Sequence, residues 1–275
     1  MPIKLAIVGA AGRMGRRIVA LAAEDRAVRV VAAVEGAGHA DLGRDAGELA
    51  GIGPTGVRVG DRCDAEFDVL IDFSLPAGTM QWVAECARRT RPIIIGTTGH
   101  GATDLERIRE AAKLIPILKA PNMSVGVNVL LRLARQLGEV LDASYDVEIT
   151  EAHHRFKVDA PSGTALALRD AVCEGRAAAG GDAPQVIYGR RGETGRRPAG
   201  EIGVHSLRIG DTIGEHGVAF GALGETVTIG HVAHSRDPFA AGALRAAKWI
   251  AGRPAGLYDM QDVLFGGSAG QAGKH

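Results

Sequence analysis

Short apolar runs and amphipathic stretches alternate along the first 120 residues. Lys4–Gly9 (KLAIVG) is a β-branched run closed by glycine, the pattern of a strand buried on both faces. Arg13–Ala23 then sets Met14, Ile18, Leu21 and Ala22 at helical spacing. Val28–Val34 reads as a second strand. Glu35–Gly60, rich in Gly, Ala and Asp with weak periodicity, reads as mostly loop. Phe67–Phe73, Pro92–Gly96 and Ile115–Lys119 are further strands. Between them, Pro76–Arg89 and Thr103–Lys113 suit helices, with Pro76 in a first turn and Asp104 and Glu106 at a positive N-terminal end. Strand–helix alternation of this kind predicts an α/β, Rossmann-type parallel sheet with helices on both faces. Ligands of such a sheet bind beyond the C-terminal ends of its strands.

The pattern changes after residue 125. Val127–Leu141 is an amphipathic helix, Ser144–Ala152 alternates like a half-buried strand, and Ser162–Ala179 is helical. From Gln185 to Val232 the runs QVIYG, IGVHSLRI, HGVAF and ETVTIGHVA are separated by glycines, with no helix between them. That predicts a smaller α+β domain with a mixed or antiparallel sheet. Phe239–Ala251 returns to helix, and Gly266–His275 reads as a frayed tail.

Composition narrows the class. The 275 residues suit two lobes, and 46% apolar with 23% charged residues suits a globular chain. Lys+Arg and Asp+Glu both number 32, so the chain as a whole offers no excess positive charge to nucleic acid or to an anionic membrane. No apolar run approaches the ~20 residues of a membrane span. The opening Met1-Pro2-Ile3-Lys4 runs into a strand and has no signal-peptide pattern. Cys63, Cys86 and Cys173 are odd in number and far apart, so they read as small buried hydrophobes in a reducing, cytoplasmic protein.

Gly9-Ala10-Ala11-Gly12-Arg13-Met14-Gly15 lies between a strand and a helix. Glycines there let backbone approach a pyrophosphate, which the helix N-terminus attracts. Glu35 follows Gly15 by 20 residues, where an acidic side chain binds ribose hydroxyls. Ala11 occupies the second glycine place. Glu35, followed by Gly36, would repel a 2′-phosphate and favours NADH, while Arg13 and Arg16 keep NADPH open. Gly96-Thr97-Thr98-Gly99 and Ala120-Pro121-Asn122-Met123-Ser124 end later strands. They can border a nicotinamide or serve as ordinary αβ connections, and Asp72-Phe73-Ser74 is similarly ambiguous.

Residues 148–165 read EITEAHHRFKVDAPSGTA. Ser162 suits an N-cap, which would turn the N–H groups of Gly163 and Thr164 outward as an anion cradle. His153, His154, Arg155 and Lys157 precede it, so cations, an imidazole and a helix start converge, as a carboxylate-bearing substrate requires. A solvated basic loop before a routine cap is the plainer alternative. Metal binding is disfavoured, because adjacent histidines point apart on a strand and no third ligand follows at a known spacing.

This run resembles the signature of the 4-hydroxy-tetrahydrodipicolinate reductase (dihydrodipicolinate reductase) family. Val8–Gly15, Gly96–Gly99, Ala120–Asn128, Gly200–Ser206, Gly214–His216 and His234–Arg236 with Phe239-Ala240 and Gly242-Ala243 match as well, so the resemblance spans roughly residues 3–265. It implies reduction of the substrate ring at C4 by NADH and/or NADPH, giving tetrahydrodipicolinate on the diaminopimelate route to lysine. It implies His153 as proton donor and acceptor, and Lys157 as second proton donor and carboxylate partner. His154, Gly163 and Thr164 would bind the small dicarboxylate ring. Gly9, Ala10, Ala11, Gly12, Arg13, Met14, Glu35, Gly96, Thr97, Thr98, Ala120, Pro121, Asn122 and Met123 would bind the nucleotide. The family's fold implies a dinucleotide-binding domain of residues 1–125, rejoined by 237–275, and a substrate-binding and oligomerisation domain of 126–236. Hinges would lie near 123–127 and 234–240, and the assembly would be a homotetramer. Phe156 stands where many members carry a histidine, implying a drier pocket in which that position is not needed for proton transfer. A dehydrogenase of sugars or amino-acid aldehydes would need a catalytic Cys or a Lys-Pro pair, and a redox-sensing binder a basic winged-helix segment; none is visible.

Overall fold

The computed structural model describes residues 1–266, so all but Gly266 of the expected tail lies outside the described residues. The chain forms two compact units: Met1–Val125 with the described residues from Arg236 on, and Gly126–Ser235. The first unit begins with β1 (Ile3–Val8), α1 (Arg13–Glu24), β2 (Val28–Val34), α2 (Ala46–Ala50), β3 (Val59–Gly60), β4 (Val69–Asp72), α3 (Pro76–Arg89), β5 (Ile93–Ile95), α4 (Ala102–Ala112) and β6 (Pro116–Lys119). The chain then enters the second unit through α5 (Val125–Val140), followed by β7 (Asp146–His153), α6 (Gly163–Ala178), β8 (Val186–Ile187), β9 (Ile202–Arg208), β10 (Gly214–Ala222) and β11 (Glu225–Ala233). It returns with α7 (Asp237–Ile250), β12 (Gly256–Tyr258) and α8 (Met260–Phe265).

The first unit is a seven-stranded sheet in the order β12-β6-β5-β4-β1-β2-β3, and every pairing is parallel. Alternate residues of its apolar strands feed two cores. Leu5, Ile7 and Ile71 pack with α1, α7 and α8, whereas Leu70, Ile93 and Ile117 pack with α3 and α4. The register aligns Val34, Val8, Asp72, Ile95 and Lys119 in one row across the sheet. The residues that follow them, Glu35, Gly9, Phe73, Gly96 and Ala120, therefore share one edge. Two parts of this unit differ from the sequence expectation. The stretch read as loop contains α2 and β3, organised by the Asp45 carboxylate, which accepts N–H groups from Gly47, Glu48, Thr55 and Gly56. β12 and α8 were not foreseen; the sheet supplies a partner for β12, and Asp259 with Asp262 forms a capping box for α8. Cys63 and Cys86 are buried and free, and Cys173 is partly buried.

In the second unit the order is β11-β10-β7-β9-β8. β10 runs antiparallel to β11 and β7, while β9 is parallel to β7 and β8. Period-2 alternation turns Val147, Ile149, Val204, Val218 and Phe220 towards Leu130 and Ala134 of α5 and Leu168 and Val172 of α6. The opposite face carries exposed Thr150, Glu215, Thr226 and Thr228, with Leu207 and Val232 half exposed. Among the described residues, no helix is long and apolar enough to cross a membrane.

Candidate active site

The first unit presents a glycine-lined edge at the C-terminal ends of its strands. Gly9 has φ of 75°, and a Cβ there would meet the Phe73 carbonyl oxygen at 2.4 Å. A Cβ on Gly15 would lie 2.1 Å from the Gly9 carbonyl oxygen. Backbone therefore packs on backbone, and the loop folds down onto the start of α1. That helix begins at Gly12 with no side-chain cap and no acidic residue in its first turn, so its positive end is left for an anion. Ala11 does not crowd this approach, because it is buried in the core behind the loop.

Glu35 directly follows β2, at the position expected from the sequence. Its Oε1 accepts the Ala11 N–H at 2.7 Å and so fixes the loop from outside. Arg16 donates to the Ala11 carbonyl at 2.6 Å and pairs with Asp41, which also holds Arg44. Arg13 is exposed. On the later loops, Thr97 is buried and donates to Asp72, while Thr98 is exposed. Ala120 and Met123 bury their side chains, leaving only backbone for a ligand. Asn122 Oδ1 accepts the Ser124 N–H at 2.9 Å and tightens the turn between them.

The second unit gathers a separate cluster where its inner sheet face turns from apolar to polar. Register places Ser206, Glu151, His216 and His231 in one row, next to the apolar row of Val204, Ile149, Val218 and Ile229. Glu151 is 1% exposed and is the hub. It accepts His153 Nδ1–H at 2.6 Å, the Ser162 N–H at 3.1 Å, and two Arg208 N–H groups at 2.9 Å each. Burial by itself would raise its pKa. Donation from Arg208, His153, Ser206 and Ser162 outweighs that and holds the carboxyl at about 2. An ionised carboxylate only accepts, so Nδ1 carries the proton it shares with Glu151 and Nε2 is left for chemistry. Nε2 faces the backbone of Gly214, where a side chain would lie 3.2 Å away. Burial lowers the His153 pKa below its ordinary value; Glu151 opposes this, and the charges of Lys157 and Arg208 add to it.

Beyond β7 the chain turns through Lys157, whose Nζ donates to Asp159 at 2.8 Å. It then reaches Ser162, whose Oγ accepts the Ala165 N–H at 3.2 Å and caps α6 as expected. Ser162 Oγ also lies 3.1 Å from His216 Nε2. His216 stands edge-on to His153 with ring centroids 5.2 Å apart, and burial pushes its pKa down to about 4. Gly163 is exposed with open space beside it, so a ligand can reach the first turn of α6. His154 buries its Nδ1 with no hydrogen-bond partner among the described residues, and its ring lies tilted against Phe156. Phe156 is 79% exposed, which does not match the drier pocket expected around it: its loop carries it outward rather than over His153.

Residues 3–123 match the family description "Dihydrodipicolinate reductase, N-terminus", and residues 126–264 match "Dihydrodipicolinate reductase, C-terminus". The chain belongs to the dihydrodipicolinate reductase family. It is thereby an oxidoreductase with a nucleotide-binding Rossmann-type domain. A 4-hydroxy-tetrahydrodipicolinate reductase of Alkalilimnicola ehrlichii is 49% identical over 268 residues, covering 96% of this chain and 99% of that protein. One of Syntrophus aciditrophicus is 46% identical over 266 residues, covering 95% and 98%. Among solved structures, a dipicolinate-bound dihydrodipicolinate reductase from Paenisporosarcina sp. TG-14 shares the fold with a TM-score of 0.75 at 23% identity, covering 96% of this chain and 100% of that one.

Glu151, Arg208 and His216 are part of the site of this dihydrodipicolinate reductase family member without having been expected there. For Glu151 a signal was present, since E-x-H on a strand puts residues 151 and 153 on one face. Arg208 had none: it lies 57 residues from Glu151 and is delivered by the pairing of His153 with Arg208 across β7 and β9.

Proposed function

We propose that the chain catalyses NAD(P)H-dependent reduction of 4-hydroxy-tetrahydrodipicolinate to tetrahydrodipicolinate, a step of the diaminopimelate route of lysine biosynthesis. The observation that carries this reading is the ionised Glu151 that orients His153 beside the accessible start of α6. The glycine-lined cradle at Gly9 and Gly15 and the uncapped α1 fit a dinucleotide, as tested by the space a Cβ would fill. Loss of the 4-hydroxyl as water opens a conjugated C=C–C=N system in the ring, and a reduced nicotinamide, when bound, would supply the hydride that ends on its C4. His153 Nε2, left unprotonated by the Nδ1–H shared with Glu151, takes the ring C3 proton as water leaves, and the resulting imidazolium returns it to the enamine carbon. A buried imidazole kept in one tautomer by a carboxylate suits that task near neutral pH. Lys157, released from the exposed Asp159, pairs with a substrate carboxylate and gives the second proton to the 4-hydroxyl as it leaves as water. Gly163 and Thr164 at the α6 start, with His154, hold the ring's carboxylates.

Glu35 and the engaged Arg16 favour NADH over NADPH, because a 2′-phosphate would meet a carboxylate with no free guanidinium from Arg16 to offset it. The outer face of the second sheet, with Leu207 and Val232 in one register row, supports a homo-oligomer, read as a tetramer of a cytoplasmic enzyme. The test is an assay with substrate generated by the preceding synthase, following NADH and NADPH oxidation in parallel. NADH is expected to serve at least as well as NADPH. A strong NADPH preference removes the role given to Glu35, and oxidation of neither removes the function.

A further inference from the structure

One buried carboxylate in the first unit takes no part in the chemistry above. Asp72 ends β4 with 0% of its surface exposed, and among the described residues it forms no salt bridge. Its hydrogen-bond partners are one N–H and three hydroxyls. Oδ1 accepts the Ser74 N–H at 3.1 Å and the Ser74 hydroxyl at 2.5 Å. Oδ2 accepts the Thr79 hydroxyl at 2.5 Å and the Thr97 hydroxyl at 3.0 Å. A buried carboxylate tolerates its site only when its lone pairs are matched in this way.

The donors come from three segments: the loop after β4, the first turn of α3, and the loop after β5. The same strand end also keys the backbone around it. The Phe73 N–H donates to the Val8 carbonyl at 3.1 Å, and the Gly96 N–H donates to the Asp72 carbonyl at 2.9 Å. The Phe73 carbonyl occupies the space a Gly9 side chain would need, and the Phe73 ring lies 2.3 Å from where a Gly96 Cβ would sit. The end of β4 is thus wedged between the Gly9 loop and the Gly96–Thr98 loop. Moving the Gly96–Thr98 loop would break the Thr97 hydrogen bond to a carboxylate that has no water to replace it, while the Gly9 loop is seated against the Phe73 backbone next to that carboxylate.

We propose that Asp72 is a positioning residue for cofactor binding: by taking the hydroxyl hydrogens of Ser74, Thr79 and Thr97, it locks the end of β4 to the Gly96–Thr98 loop, and so fixes the Phe73 backbone on which the Gly9 loop is seated, at the spacing a dinucleotide needs. This rests on the cofactor reading above. Thr97, with its only hydroxyl hydrogen given to Asp72, presents nothing but acceptor lone pairs to whatever binds beside it.

The experiment measures the dissociation constant of NADH by titration, the KM values of NADH and of the ring substrate, and the melting temperature. It compares the wild type with Asp72→Asn, Thr97→Val and Thr97→Ser. Asp72→Asn removes the charge and leaves one acceptor oxygen, so NADH should bind about tenfold more weakly, as expected for loss of one hydrogen bond to a charged group. The KM of the ring substrate should stay within about twofold of the wild type, since the second unit is untouched. Thr97→Val cuts only the link to one loop and should weaken NADH severalfold, and Thr97→Ser should restore it. A merely structural role would lower the melting temperature of Asp72→Asn while the folded protein bound NADH as before, and Thr97→Val would bind it normally; either binding result overturns the proposal. If Asp72→Asn does not fold, the Thr97 pair decides alone. Wild-type protein that binds neither NADH nor NADPH overturns the cofactor reading and this proposal together. Wild-type binding with unaffected variants overturns the proposal only.

Discussion

Replacing Glu151 by glutamine is the most informative single change. The carboxylate meets donors from His153, Ser162 and Ser206 and two from Arg208, and its neutral amide analogue keeps one acceptor while turning an NH2 group towards donors. Breaking a buried ion pair on one side costs about 3–5 kcal/mol of stability. The variant should therefore melt at a lower temperature and must be assayed well below it. On the chemistry, loss of one hydrogen bond between charged groups is about 1.5–3 kcal/mol. Expressed fully in the transition state, that lowers kcat roughly 10- to 150-fold. The pH profile carries the sharper test. Glu151 favours the protonated form of His153, whereas burial and the charges of Lys157 and Arg208 disfavour it. Removing Glu151 therefore lowers the His153 pKa further. If protonated His153 is the proton donor, turnover falls as pH rises through that pKa, and in Glu151→Gln the fall moves to lower pH. The measurement is kcat against pH, from loss of nicotinamide absorbance, on protein shown to be folded. Folded Glu151→Gln with wild-type kcat and an unmoved profile would refute the claim that this carboxylate orients and charges the imidazole.

Two further predictions address one unit each. His153→Ala should lower kcat by roughly 10²–10⁴ with little change in the dissociation constant of NADH, and wild-type turnover in that variant removes the residue from proton transfer. Gly15→Ala forces a Cβ to within 2.1 Å of the Gly9 carbonyl oxygen, so the loop must shift. NADH binding should weaken by more than about tenfold while the second unit keeps its own stability, and a titration showing unchanged affinity would mean that the loop does not set the cofactor's approach.

Much of the first unit's edge can be read from the chain itself, because its determinants are local. A β-branched run, a glycine turn and a helix start within Lys4–Ala23 suffice to form β1 and α1, and the period of each run assigns its faces. Glu35 ends the next strand by the same reasoning. The Ser162 cap is likewise written in residues 161–165. α2 and β3 escaped that reading because their order comes from one side chain, Asp45, reaching Thr55 and Gly56 ten and eleven residues away. β12 is a strand because β6 offers it an edge, and three residues cannot announce that alone.

The sequence by itself determined the two kinds of element grammar, the glycine cradle, the capped helix start, and the presence of an imidazole and an ammonium before that start. Only the tertiary structure decided that Glu151 stays ionised, that Arg208 arrives beside it, that Glu35 braces Ala11, and that Asp72 ties three segments together. The physical reason is the range of the forces. Propensity, periodicity and capping act within a turn or two of chain. A buried charge is settled by whichever donors the register of distant strands delivers to it, and that register is fixed by burial of whole sheet faces, which no short window of residues contains.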